Sequence, residues 1–188
     1  MKKVFYVLAA ALMAVSMSVN AAEFRGKFIH LDNSTNKNLK PQVAFCQEHK
    51  DGKDVTTFIV KTVNTDNYNE FTDASRILIK FSDQKNFRMN RVAGAGVKQY
   101  KNTEKVAKAT VTKYWTEVSY EVAPEIIEKL ESGFSIVKVR VVYKENDAKD
   151  YDLTEGYQPK FSADLLKSYK EAAEQCRKAN GDLSDEDF

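Results

Sequence analysis

PQVAFCQEHKDGKDVTTFIVKTV, residues 41–63, admits two readings, and the choice between them decides the fold. Pro41 is a suitable first helical residue and Gly52 a suitable stop, which would make 41–51 a helix. Alternatively Asp51-Gly52 is a two-residue hairpin turn between apolar strands. The hairpin places Phe45 opposite Phe58 and Val43 opposite Val60, and FIVKTV is strand-like in its own right, so the hairpin is preferred. The choice also bears on Cys46 and His49. Residues three apart share the face of a helix but point to opposite faces of a strand. The hairpin therefore separates the one cysteine–histidine pair that is close in sequence.

Working outward, FRGKFIHL (24–31) alternates as a strand, with Phe24 and Phe28 on one face. A polar loop follows over 32–40, carrying the sequon Asn33-Ser34-Thr35, a chance match on a bacterial export route. Residues 64–75, NTDNYNEFTDAS, form an Asn- and Asp-rich loop holding Tyr68 and Phe71. RILIKF (76–81) and NFRMNRV (86–92) are strands, and Gly94-Ala95-Gly96 is a tight connection before VKQY. The longest extended segment runs from Val106 to Val122, with its alternation switching near Thr112, where a bulge would reconcile the two halves. Past the switch, Trp115 falls on the polar side with Lys113, Glu117, Ser119 and Glu121. PEIIEKLES opens at Pro124 and ends at Gly133 as a short helix. SIVKVRVVY (135–143) is a strand with Lys138 and Arg140 outward, able to pair with Glu117 and Glu121 if the two strands are neighbours. A last hairpin turns through KENDAKD into YDLTEGY. The terminal helix follows Pro159, with Ser162 as cap and Phe161, Leu165, Tyr169, Ala172, Cys176 and Ala179 in one stripe. Asn180-Gly181 stops it. Strands dominate without regular helix alternation. The expected fold is α+β: an antiparallel or mixed curled sheet of about seven or more strands, with a short helix and a long C-terminal helix packed on it.

The first residues, MKKVFYVLAAALMAVSMSVNA, have two lysines, an apolar run of about a dozen residues and small residues at the expected cut before Ala22. They read as a bacterial signal peptide over 1–21, too short to span a bilayer. Residues 22–181 are expected to form a single domain and 182–188 an acidic tail. The chain is then exported, periplasmic or secreted, and not membrane-spanning after cleavage. It has 29 Lys plus Arg and 27 Asp plus Glu, and losing two lysines with the leader leaves it neutral. Neutrality removes any global attraction for nucleic acid.

In an oxidising compartment Cys46 and Cys176 are expected to form a disulfide tying the terminal helix to the N-terminal hairpin. That would spend the only thiols. Neither His30 nor His49 lies in HExxH, the cysteines are not in CxxC, and the glycines at 94 and 96 do not form a phosphate-binding pattern, so no metal or cofactor is expected. Trp115, on a polar strand face, and Tyr68 and Phe71, in a long loop, are the candidate ligand-binding residues. The expectation is a non-catalytic exported binding module for another envelope protein or a glycan. Two alternatives remain open. One is a carrier of an apolar ligand between the sheet and the terminal helix. The other is a small periplasmic hydrolase using His49 or an acid pair such as Glu117 and Glu121.

Overall fold

The computed structural model describes residues 22–32, 40–106 and 109–180. The leader over 1–21, the sequon at Asn33 and the acidic tail over 182–188 lie outside the described residues. Ten strands and two helices follow in the order β1 (Glu23–Arg25), β2 (Ile29–His30), β3 (Gln42–Lys50), β4 (Lys53–Asn64), β5 (Arg76–Phe81), β6 (Asn86–Asn90), β7 (Lys98–Val106), β8 (Ala109–Glu121), α1 (Pro124–Glu131), β9 (Ile136–Lys144), β10 (Asp147–Asp152) and α2 (Gln158–Ala179). The fold is α+β. A curled six-stranded sheet has the order β1-β3-β4-β8-β7, with β2 also on β3, and a four-stranded sheet has the order β10-β9-β5-β6. Every strand pair is antiparallel, so the mixed alternative falls away. A single bridge between Arg91 and Tyr120 links the two sheets.

Asp51-Gly52 makes the turn between β3 and β4, both residues having positive φ, 52° and 74°. That is the backbone a type I′ hairpin turn requires. Phe45 opposes Phe58 and Val43 opposes Val60. These four, with Val118 and Tyr120 of β8, face the four-stranded sheet and α2. They join Ile77, Ile79, Val139, Val141, Phe161 and Leu165 in one buried core.

Several expectations are corrected. Between β1 and β2 the pairing with β3 slips by one residue, since Arg25 opposes Cys46 but Ile29 opposes Val43. The slip at Gly26–Phe28 sends Phe28 to the face opposite Phe24. β8 pairs with β4 and β7 without a bulge, and the extended run expected from Val106 is divided between the end of β7 and the start of β8. β9 lies beside β5 and β10, not β8. Lys138 and Arg140 therefore pair with Asp150 and Asp152 of β10 rather than with Glu117 and Glu121. Pro159 falls in the first turn of α2, and Ser162 lies inside the helix. Its hydroxyl donates to the Gln158 carbonyl and accepts the Ile136 N–H at 2.8 Å, pinning α2 to β9.

Candidate functional site

Alternation along β3, β4 and β8 gives the six-stranded sheet a second face, turned away from the core. Small side chains floor it: Ala44, Cys46 and Ile59 are 0%, 1% and 2% exposed. Above them stand Glu23 and Arg25 from β1, Lys61 from β4, Lys98 and Tyr100 from β7, and Trp115 and Glu117 from β8. Three strand spacings, about 14 Å if the sheet were flat, separate β1 from β8. Yet Arg25 Nη1 donates to Glu117 Oε2 at 2.8 Å. Lys98, on the far edge strand, also reaches Glu23 on the first. The sheet therefore curls until its two edges are bridged by side chains, and this second face is the inside of the curl.

Glu117 is the hub. Its side chain is 7% exposed, one carboxylate oxygen takes Arg25, and the other accepts the Tyr100 hydroxyl at 2.8 Å with Lys61 Nζ at 3.7 Å. The strand register lines these groups up: Lys61, Glu117 and Lys98 stand in one row across the sheet, and Val63, Trp115 and Tyr100 in the next. Trp115 and Tyr100 stack, with centroids 6.3 Å apart and planes 14° apart. The Lys61 ammonium sits 4.5 Å from the Trp115 ring centre, 5.4 Å from Tyr100 and 5.1 Å from Phe28. That is a cation held by three π faces and a carboxylate. Trp115 is half-buried, whereas Tyr100 is 39% exposed, so the stack reaches the surface through the tyrosine.

The electrostatics follow from burial and pairing. Burial alone would raise the Glu23 carboxyl, but hydrogen bonds from Lys98 and Arg25 outweigh it and hold the group below the usual carboxylate range. Burial, then the bond to Glu117, pushes the Tyr100 hydroxyl upward, so it stays a neutral donor. Burial and the nearby Glu23 and Glu48 carboxylates push the Cys46 thiol up to about 11. A thiol so poised is not a nucleophile at neutral pH. Glu23, Glu117 and Glu48, which stands opposite Glu23 on β3, meet Arg25, Lys61 and Lys98, so the cluster is locally neutral.

The other expected site residues are dispersed. Cys46 and Cys176 are both free and buried; the expected bridge is absent. Alternation explains this: Phe45 meets α2 through Tyr169, at 5.6 Å between rings, so Cys46 next to it points to the opposite face. Cys176, on α2, instead lies 3.8 Å from Asp54 Oδ1, the same oxygen that holds His49 Nδ1 at 2.8 Å. The carboxylate stands between thiol and imidazole, whereas a thiol–histidine catalytic pair needs the two in direct contact. Burial, then Asp54, raises the Cys176 thiol as well. His30 lies on β2 beside Gln42. Glu117 and Glu121 share a face of β8, but Glu117 is engaged by Arg25 while Glu121 is exposed at the strand end. Tyr68 packs edge-on against Tyr114 at 5.1 Å. Phe71 is 7% exposed, part of the core, and lies against Tyr143 at 4.9 Å. Of the three aromatic candidates, Trp115 alone belongs to the cluster inside the curl.

Sequence reasoning missed Tyr100, Lys61, Arg25, Glu23 and Lys98. Only the parity of Trp115 and Glu117 signalled this face. Among the described residues no group of three or more His, Cys, Asp or Glu is placed to hold a metal ion, and no helix is long and apolar enough to cross a membrane. The space between the sheet and α2 is filled by core side chains. A hollow of about 270 Å³ at its margin is lined largely by charged groups, among them Lys27, Asp32, Lys160 and Glu171. Comparison with protein-family models, with curated proteins and with solved structures finds no match for this chain.

Proposed function

We propose that the chain is an exported, non-catalytic binding module and that its contact site is the Tyr100–Trp115 stack at the mouth of the curl. A glycan suits the chemistry best. The apolar C–H face of a sugar ring stacks on an aromatic side chain, and its hydroxyls take hydrogen bonds from ordered charged groups. Arg25, Glu23, Lys98 and Glu117 are ordered by one another, so little side-chain freedom is left to lose on binding. One observation carries the reading: Tyr100 is an exposed aromatic, 39% accessible, stacked on a tryptophan inside a paired-charge network.

Trp115 is the only tryptophan of the chain and reports directly on the site. Titrating neutral and acidic oligosaccharides against its fluorescence is expected to give a saturable change. Tyr100→Ala is expected to weaken that binding about tenfold. Flat titrations across the panel, or a Tyr100→Ala protein that binds as the parent does, would remove the support. The leader over 1–21 carries the export part of the reading, tested by N-terminal sequencing of protein recovered outside the cytoplasm.

A further inference from the structure

A second exposed apolar group marks a different place. Among the described residues two large hydrophobic side chains are exposed, Tyr100 at the site above and Val55 at 42%. Val55 lies on β4 just past the point where β8 leaves the sheet. Thr57 opposite Glu121 is the last pair of those two strands. The chain then turns through Val122 and Ala123 into α1. No strand among the described residues pairs with Lys53–Thr56 on that side. Beside this open strand edge runs a groove of about 660 Å³, walled by Val55, Val92, Val122, Pro124, Ile127 and Tyr169. Its charged lining is all acidic, Asp54, Glu121 and Glu128, with no cationic side chain among the lining residues. Glu121 and Glu128 are exposed, and neither forms an ion pair among the described residues.

We infer that this groove takes an extended peptide segment with basic and apolar residues in alternation. Three features converge on that occupant. An unpaired strand end offers main-chain hydrogen bonds to an added strand. Val122, Ile127 and Tyr169, which pack against the core, wall one side of that edge and accept every second side chain, the spacing at which a strand presents one face. On the other face the unpaired Glu121 carboxylate, beside Val55, meets the lysines or arginines, and Glu128 adds a second acid from α1. The groove lies at the end of the sheet where β4 meets α1 and α2, apart from the aromatic cluster, so the inference does not depend on the glycan reading.

Fluorescence anisotropy with a labelled synthetic peptide of alternating valine and lysine tests it. Saturable binding in the range of about 10–100 µM is expected. Val55→Lys, and separately Glu121→Gln with Glu128→Gln, are expected to weaken it about tenfold. These positions are exposed, and circular dichroism checks that the variants stay folded. An alternating serine–lysine peptide of equal charge is expected not to bind, and equal binding would reduce the effect to bulk charge and overturn the proposal. So would no saturation at about 1 mM, or binding that both variants leave unchanged. Sedimentation showing a dimer that Val55→Lys dissolves would give the groove to a second copy of the chain and overturn it too.

Discussion

Gly26 is where the terminal helix comes closest to the sheet. Its N–H donates to the Phe45 carbonyl at 3.0 Å, and the neighbouring Phe45 N–H is taken by Ser168 Oγ of α2 at 3.2 Å. A helix side chain thus fills the break in the edge strand, satisfying a backbone group that β1 and β2 leave open. A Cβ at Gly26 would collide with the backbone carbonyl of Ser168, and backbone on both sides cannot yield cheaply. Gly26→Ala is therefore expected to destabilise by about 2 kcal/mol and lower Tm by roughly 4–8 °C. Gly96→Ala has nothing within 4 Å of the added carbon and serves as the control in the same melting experiment. Nothing in FRGKFIHL announces this approach. The segment reads as one uninterrupted strand, and only the one-residue slip against β3 shows that Gly26 ends one pairing before the next begins. The same limit hid most of the candidate site. Trp115 was legible because parity along β8 is a local property. Arg25 and Lys98 meet the cluster across strands far apart in sequence, and no local pattern encodes that meeting.

At the scale of elements, the hairpin of β3 and β4 was legible because Asp51-Gly52 prescribes its turn and β-branched residues flank it. α2 was legible from its apolar stripe, although Ser162 proved to be an internal anchor to β9 rather than a cap. β7 was not legible. KQYKNTEKV has neither apolar alternation nor a buried face, and it is a strand only because β8 pairs with it over its whole length. Beyond Tyr114, the last residue of β8 paired with β4, the β7–β8 ribbon has no third strand among the described residues. Two-stranded ribbons are marginal by themselves. The amides of Lys101–Lys105 and Thr110–Lys113 are accordingly expected to exchange with deuterium well before those of β3 and β4. Hydrogen-exchange mass spectrometry checks this, and slow exchange along the ribbon would mean that something covers it.

For the whole molecule, charge pairs join the sheet where it curls back on itself. Glu23 is held below its ordinary value of 4.5, so its contribution is complete above that value and is lost as pH falls through the lower folded one. Asp150, held by Arg140 and Lys138 at about 2 against an ordinary 3.8, acts in the same sense on the other sheet, though its exposure keeps the effect small. The urea midpoint is expected to fall between about pH 5 and pH 3, and to fall less in Glu23→Gln. An equal acid loss in that variant would place the acid sensitivity elsewhere. The two thiols form no covalent tie: both are buried, and they lie on opposite sides of β3. The clasp that closes the curl is instead Glu23 with Lys98 of the far edge strand and Arg25 with Glu117 of β8, side chains in place of a backbone ladder. Such a clasp is sensitive to dissolved ions in a way that a hydrogen-bonded seam is not. Added salt therefore loosens the more exposed Glu23–Lys98 half first, while the Arg25–Glu117 half, buried at its carboxylate, keeps its hold beside the tryptophan.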